Sequence, residues 1–138
     1  MSELDSSLKG RCILAAEDNE VNQIVLEYTL SEQDLPFHIA SNGLEAVEAY
    51  QALDPLVILM DVSMPVMDGL EAIAKIRELE QASGTFTPII VLTAHAMSGD
   101  KERILAAGAD YYLTKPLNPE VLLSKISEVT SLRETAAA

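Results

Sequence analysis

The fold is decided by the stretch LVILM at residues 56–60, five apolar residues in a row that end at Asp61. An uninterrupted apolar run of this length is typical of a parallel strand that helices cover on both faces. A second run, IIVL at residues 89–92, ends at Thr93. The segments around both runs show helical spacing of apolar residues, so the sequence predicts alternating strands and helices.

Five such strand and helix pairs follow one another along the chain. The strands are predicted at residues 12–16, 37–40, 56–60, 89–92 and 111–113. The first helix is indicated by Val21, Ile24, Val25 and Tyr28, whose spacing places them on one helical face. The predicted fold is α/β, a doubly wound parallel sheet of five strands with right-handed crossovers and helices on both faces.

Signals for turns and helix ends divide these elements. Asn42 and Gly43 are interpreted as a turn pair, and Ser98 as the N-cap of a helix that Gly108 stops. Asn118 followed by Pro119 predicts the start of the last helix. The closing residues 135–138 are expected to be a frayed tail.

Composition restricts the class of protein. A chain of 138 residues, 49% of them apolar, fits one domain over residues 1–138, with a core from about 9 to 132 and flexible ends. The single cysteine, Cys12, excludes an internal disulfide, and a net charge of −13 argues against nucleic-acid binding. No apolar stretch approaches the roughly 18 residues of a membrane span, and the first ten residues lack the apolar core of a signal peptide. A cytoplasmic protein without membrane contact is therefore expected.

Residues that end the strands carry the chemistry, because ligands of such sheets bind beyond the carboxyl ends of the strands. These residues are Glu17, Asp18, Asp61, Thr93 and Lys115. Three carboxylates at one edge repel one another unless a cation joins them, and oxygen ligands favour Mg²⁺. With no histidine or serine at a strand end, Asp61 is predicted to be a nucleophile that forms an aspartyl phosphate.

Other interpretations exist for these residues. An acid after a strand is often only a turn residue or a helix cap, and Lys115 alone resembles a surface lysine. A Mg²⁺-dependent phosphatase of the haloacid dehalogenase type also uses an aspartyl nucleophile, but it needs a second aspartate two residues later, where this chain has Ser63. A third class is a binding module of the same fold that does not transfer phosphate.

Four motifs resemble those of response-regulator receiver domains of two-component and phosphorelay signalling, over residues 9 to 132. They are AEDN at 16–19, MDVSMPVMDG at 60–69, LTA at 92–94 and LTKP at 113–116. The sequence around these motifs is similar to that of stand-alone receivers and of receivers in hybrid kinases. The resemblance implies a flavodoxin-like sheet with strand order 2-1-3-4-5.

The resemblance also implies the roles of individual residues. Asp61 would be phosphorylated from a phosphohistidine, with Thr93 and Lys115 completing the catalytic set. The implied Mg²⁺ ligands are Glu17, Asp18, Asp61 and the backbone carbonyl of Ser63. The phosphoryl group would be contacted by Thr93, Lys115 and the backbone N–H of Ala94. Thr93 and Tyr112 would form the switch, and the Lys115–Pro116 bond is one that is often cis in this family.

The implied partners are a histidine kinase or a histidine phosphotransfer protein and a downstream protein target. A homodimer formed on phosphorylation is left open. Apart from its own phosphotransfer and autodephosphorylation, the domain is not expected to be an enzyme.

Overall fold

The computed structural model describes residues 10–62, 64, 66–94 and 100–137. Strands and helices alternate along the whole of this part of the chain. In chain order they are β1 (Ile13–Ala16), α1 (Glu20–Leu30), β2 (Phe37–Ala40), α2 (Gly43–Leu53), β3 (Val57–Asp61), α3 (Gly69–Ser83), β4 (Ile89–Thr93), α4 (Asp100–Ala106), β5 (Tyr111–Thr114) and α5 (Pro119–Ala137).

The five strands form one parallel sheet in the order β2-β1-β3-β4-β5. This is the predicted flavodoxin-like order, and the predicted fold class is confirmed. In the register of the sheet Asp61 lies opposite Leu92, one residue before Thr93. The carboxyl ends of β1, β3 and β4 therefore meet at one edge, which positions the residues that follow them.

Two apolar layers cover the sheet. On one face, Leu14, Ile58 and Val91 pack with side chains from α2, α3 and α4. On the other face, Leu59 and Leu92 pack with side chains from α1 and α5. β1, β3 and β4 are buried on both faces, which explains their uninterrupted apolar runs.

Cys12 lies in the first of these layers and is fully buried and free. Burial raises the pKa of its thiol to about 11, and the nearby Asp54 carboxylate adds to the effect. Cys12 is thus a small buried residue of the core.

The apolar face that predicted α1 does not face the sheet. The helix itself is confirmed, but Val21, Ile24 and Tyr28 are each about two-thirds exposed or more (67%, 65% and 72%). The buried residues of α1 are Leu26, Thr29 and Leu30. The apolar spacing that predicted α1 therefore belongs to a second apolar stripe of the helix, which faces solvent.

Two predicted element boundaries differ from those in the structure, and a third lies outside the described residues. Asn42 and Gly43 do not form a turn between elements: Asn42 is the N-cap of α2, accepting a hydrogen bond from the Glu45 N–H, and Gly43 is the first helical residue. α5 extends through Ala137, so its backbone is helical where a frayed tail was expected. The predicted cap Ser98 lies outside the described residues.

Arg77 joins α3 to the edge of the sheet opposite the carboxyl ends of the strands. Its guanidinium donates to Asp110 Oδ2 at 2.8 Å, to Glu80 Oε1 at 2.7 Å and to the backbone carbonyls of Thr87 and Gly108. The Asp110 carboxylate in turn accepts from the Ile89 N–H at the start of β4. The clamp thus joins α3, β4 and the chain that enters β5.

In the part of the chain described, no helix combines the length and apolar character needed to cross a membrane.

Candidate functional site

Six of the predicted site residues meet in one cavity at the carboxyl edge of the sheet. Its volume is about 360 Å³. It is lined by Glu17, Asp18, Asn19, Asn22, Asp61, Val62, Thr93, Ala94, Arg103 and Lys115. Six of the eight predicted site residues are among these ten; Tyr112 does not line the cavity, and Ser63 lies outside the described residues.

Three carboxylates converge in this cavity. Asp61 ends β3 and is 5% exposed, and Glu17 follows β1 directly and is 1% exposed, whereas Asp18 is open to solvent. Each of the three offers an oxygen atom, and these atoms lie within 4.8 Å of one another. Oxygen atoms this close can share one hard cation.

Lys115 supplies the positive charge among these acids. Its ammonium lies 2.9 Å from Glu17 Oε1 and 3.3 Å from Asp61 Oδ1. Burial disfavours the ammonium, but the hydrogen bond to Glu17 and the charge of Asp61 outweigh it, so the pKa of Lys115 is raised. The side chain is therefore a firmly charged cation at the base of the cavity.

The pKa values of the two buried carboxylates shift in opposite directions. Burial opposes ionisation of Glu17, but hydrogen bonds from Lys115 and the Asn19 N–H hold its pKa below the ordinary value. Burial and the neighbouring Glu17 charge raise the pKa of Asp61 to about 6. Glu17 thus carries the negative charge paired with Lys115, and Asp61 is the acid that most needs a further cation.

The start of α1 forms one wall of the cavity. Asn19 caps the helix by accepting from the Asn22 N–H at 3.0 Å. Gln23, in the first turn, donates to the Glu17 carbonyl at 2.6 Å and to Ser41 Oγ at 3.3 Å. This side chain joins the end of β1 to the segment between β2 and α2.

Thr93 and Tyr112 lie on neighbouring strands. Thr93 is buried at the end of β4, and its carbonyl accepts from the Lys115 N–H at 2.7 Å. Tyr112 packs against the apolar layer that includes Ile104 of α4, and the Lys101 ammonium lies 6.0 Å from its ring centroid. Tyr111 packs on the opposite face, so Tyr112 is the tyrosine that faces α4. The Lys115–Pro116 bond is cis, as the resemblance implies.

The loop after Asp61 closes on itself. Val62 N–H donates to the Leu92 carbonyl at 3.3 Å, and the Val62 carbonyl accepts from Gly69 N–H at 2.9 Å. A Cβ on Gly69 would overlap the Asp61 carbonyl oxygen, so this close approach requires glycine. Ser63, whose carbonyl is a predicted Mg²⁺ ligand, lies outside the described residues.

Four residues of the cavity wall were not predicted as site residues, of which Asn19 and Val62 lie within the quoted motifs and the other two do not. Asn22 lies in α1 and Arg103 lies in α4. Neither ends a strand, and strand ends were the signal by which the site was found. A search for polar residues in the first turn of the helix after each strand would have found Asn22, whereas no local pattern singles out Arg103.

Comparison with known proteins agrees with this geometry. The sequence profile described as the response regulator receiver domain matches residues 13–127. The chain is 42% identical over 120 residues to hybrid signal transduction histidine kinase I of Dictyostelium discoideum, covering 83% of this chain but 7% of that kinase.

Two solved structures are similar over most of the chain. The receiver domain of the response regulator Ssk1 from Saccharomyces cerevisiae, crystallised with the histidine phosphotransfer protein Ypd1, has a TM-score of 0.84 and 34% identity, covering 91% of this chain and 92% of that one. The receiver domain of sensor histidine kinase PA1611 from Pseudomonas aeruginosa has a TM-score of 0.79 and 37% identity, covering 88% of this chain and 98% of that one. It was described with a magnesium ion coordinated in its active-site cleft.

The fold and the acidic cavity define a signalling domain of two-component and phosphorelay systems. The chain belongs to the response regulator receiver domain family. Receiver domains are signalling domains and not enzymes in the usual sense, and the haloacid dehalogenase alternative is not favoured. The chain spans a small share of the length of the hybrid kinase that it matches.

Proposed function

We propose that this receiver domain accepts a phosphoryl group on Asp61 from a phosphohistidine of a histidine kinase or a histidine phosphotransfer protein. The observation that carries the proposal is the position of the Asp61 carboxylate, buried at the end of β3 and 3.3 Å from the Lys115 ammonium. A buried nucleophile beside a fixed cation is suited to a reaction in which negative charge must be neutralised.

The donor set fits Mg²⁺. Three carboxylate oxygens within 4.8 Å of one another, from Glu17, Asp18 and Asp61, provide hard ligands and leave space in the cavity for water. The Ser63 carbonyl is proposed as a further ligand on the family resemblance. When bound, the ion would neutralise charge on the phosphoryl oxygens. Its presence in the cleft of a similar receiver domain supports this assignment.

Different residues of the chain have different roles in the reaction. An Asp61 oxygen attacks phosphorus in line, the P–N bond of phosphohistidine breaks, and neutral imidazole leaves after taking up a proton. Lys115, the Thr93 hydroxyl and the Ala94 N–H bind the phosphoryl oxygens. Hydrolysis of the same acyl phosphate by water would reset the domain.

Thr93 and Tyr112 would transmit the change. Attraction of the Thr93 hydroxyl to the phosphoryl group draws the end of β4 toward Asp61. Tyr112 lies on the neighbouring strand against the α4 side of the core, so its packing would respond to that movement. The output is then a changed surface around α4, β5 and α5 for a downstream protein or a second copy of the domain.

The exposed apolar face of α1 is suited to the donor protein. Val21, Ile24, Val25 and Tyr28 form this face, and they stand on the helix whose Asn19 and Asn22 line the cavity. A protein that brings a phosphohistidine into the cavity must cover the adjacent helix. Similarity to a receiver crystallised with a phosphotransfer protein supports a donor of that class.

Phosphorylation by phosphoramidate tests the proposal directly, because this small donor contains the P–N bond of phosphohistidine. Intact-mass measurement should show one added phosphoryl group that requires Mg²⁺ and is absent in Asp61→Asn. Undiminished phosphorylation of Asp61→Asn would overturn the assignment. Steady release of phosphate from phosphomonoesters would instead favour the phosphatase alternative.

A further inference from the structure

Gly43, eighteen positions before Asp61, touches the loop that leaves the site. The N–H of Gly43 donates to the Met67 carbonyl at 2.9 Å. A Cβ at this position would overlap the Met67 carbonyl oxygen and would lie 2.8 Å from the carbonyl carbon and 3.0 Å from the Asp68 oxygen. Backbone atoms cannot move aside as a flexible side chain can, so the contact exists only because residue 43 has no side chain.

Backbone conformation does not explain this glycine. Among the described residues, the glycines with positive φ are Gly10, Gly84 and Gly108. Gly43 is instead the first residue of an ordinary helix and is buried. Space for the loop is therefore what requires glycine here.

The start of α2 is held rigidly from its own side. Asn42 Oδ1 accepts from the Glu45 N–H at 2.9 Å, and Glu45 Oε1 accepts from the N–H of Ser41, the residue before the cap, at 3.0 Å. Gln23 ties Ser41 to the Glu17 carbonyl. Gly43 thus belongs to a fixed support that also contacts the end of β1.

The loop on the other side is held at two points. Its base is closed by the bond between Gly69 and Val62, and Met64 and Met67 pack against the core. The bond from Gly43 adds the lateral contact from α2. Asp61 begins this loop, so the placement of the loop affects how the Asp61 carboxylate is presented.

We propose that Gly43 is a positioning residue for the phosphorylation site, holding the loop after Asp61 through the Gly43–Met67 hydrogen bond. This inference rests on the proposed phosphoacceptor function. Replacement by any residue with a Cβ would push the loop from α2 and weaken Mg²⁺ binding without touching a ligand.

The first test compares Gly43→Ala with Gly108→Ala in the full chain. Gly108 has φ +116, and a Cβ there would lie 3.0 Å from Arg77 Cγ, so its replacement strains the fold at the far edge of the sheet. Calorimetric titration with Mg²⁺ alone should show about tenfold weaker binding for Gly43→Ala. Gly108→Ala should lower the unfolding temperature while leaving Mg²⁺ affinity within about twofold of the natural protein. Equal Mg²⁺ affinity in Gly43→Ala and the natural protein would overturn the inference.

Phosphorylation by phosphoramidate gives a second test of the role of Gly43. The Mg²⁺ concentration for half-maximal rate should rise in Gly43→Ala in parallel with the dissociation constant. A normal Mg²⁺ requirement in Gly43→Ala, together with an inert Asp61→Asn, would refute the role of Gly43 and leave the proposed function standing. Phosphorylation of Asp61→Asn would refute the function, and the Mg²⁺ affinity of Gly43→Ala would still test the positioning role.

Amide hydrogen exchange in the natural protein keeps the inference testable if Gly43→Ala does not fold. Coupling is reciprocal, so if the bond favours Mg²⁺ binding then Mg²⁺ must stabilise the bond. Exchange of the Gly43 N–H should slow by about threefold or more when Mg²⁺ is added, while that of Gly84 N–H, which donates to the Glu80 carbonyl, should not change. Unchanged exchange at Gly43 would contradict the proposal.

Discussion

Lys115 Nζ and Glu17 Oε1 form an ion pair at 2.9 Å between residues 98 positions apart in the chain. The same ammonium is 3.3 Å from Asp61, so its shorter contact is with the acid that is not the proposed phosphoacceptor. Glu17 thereby holds Lys115 at the cavity base, oriented toward the place where a phosphoryl group would form.

Removal of this cation should destabilise the domain. In Lys115→Ala two buried carboxylates lose their partner, and we expect the free energy of unfolding in EDTA to fall by about 1–3 kcal/mol. Urea unfolding measures the change. Lys75→Ala, which removes an exposed pair with Glu78, is the matched control and should change stability by under about 0.5 kcal/mol. Mg²⁺ should restore part of the loss in Lys115→Ala, and failure to do so would contradict a cation site among these acids.

Asp61→Asn should stabilise the domain in EDTA, and by an amount that depends on pH. The pKa of Asp61 is raised from 3.8 to about 6, so between these values the folded protein retains a proton that the unfolded chain releases. Stability therefore falls as pH rises through this window, and the penalty is complete above about pH 6. Asp61→Asn has no such penalty, because asparagine does not ionise.

Urea unfolding across pH measures this difference. The advantage of Asp61→Asn should be small near pH 4 and reach on the order of 2–3 kcal/mol near pH 7. An advantage that does not vary with pH would show that the Asp61 carboxylate is not strained by burial and Glu17. Saturating Mg²⁺ should reduce or reverse the advantage, since the ion binds the natural folded protein.

The exposed apolar face of α1 should affect phosphotransfer from protein donors but not from small donors. Ile24→Lys places a charge in the centre of the exposed apolar face, and we expect phosphotransfer from a cognate phosphohistidine protein to slow by about tenfold or more. The rate with phosphoramidate should stay unchanged, because the cavity is not altered. Leu105→Lys, at a residue of α4 that is 40% exposed, is the control for added charge. Equal slowing by both substitutions would remove the case for docking on α1.

The Arg77 clamp should contribute to stability without affecting Mg²⁺. Arg77→Met leaves Glu80 and Asp110 without their cationic partner and frees two backbone carbonyls, so we expect a loss of about 3 kcal/mol in urea unfolding. Mg²⁺ affinity of the folded variant should equal that of the natural protein, since the clamp lies at the far edge of the sheet. A matching loss of affinity would mean that the two edges are coupled.

The strand ends could be predicted because two facts about them are local. Buried parallel strands are uninterrupted apolar runs, and the residue where each run stops is visible in the sequence. Parallel strands then bring those residues to one edge, so Asp61, Thr93 and Lys115 were placed together correctly. The order of the strands came from resemblance, because periodicity does not say which strands are neighbours.

Facts that depend on contacts between distant segments could not be predicted. α1 carries two apolar stripes, and spacing alone does not tell which of them meets the sheet; the stripe of Leu26 and Leu30 is the buried one. Asn42 and Gly43 also resemble a turn locally. The contact of Gly43 with Met67 depends on a loop more than twenty residues away, whereas the Asn42 cap is a local bond from the Glu45 N–H.

The buried Cys12 makes the domain convenient for site-specific labelling. A thiol with a pKa near 11 that is shielded from solvent is almost wholly protonated at neutral pH and reacts slowly with maleimides. Since it is the single cysteine of the sequence, one cysteine introduced on a helix surface would carry essentially all of the label. A dye or spin label on α1 or α4 could then follow donor docking and the response to phosphorylation separately, without first removing a native thiol from the core.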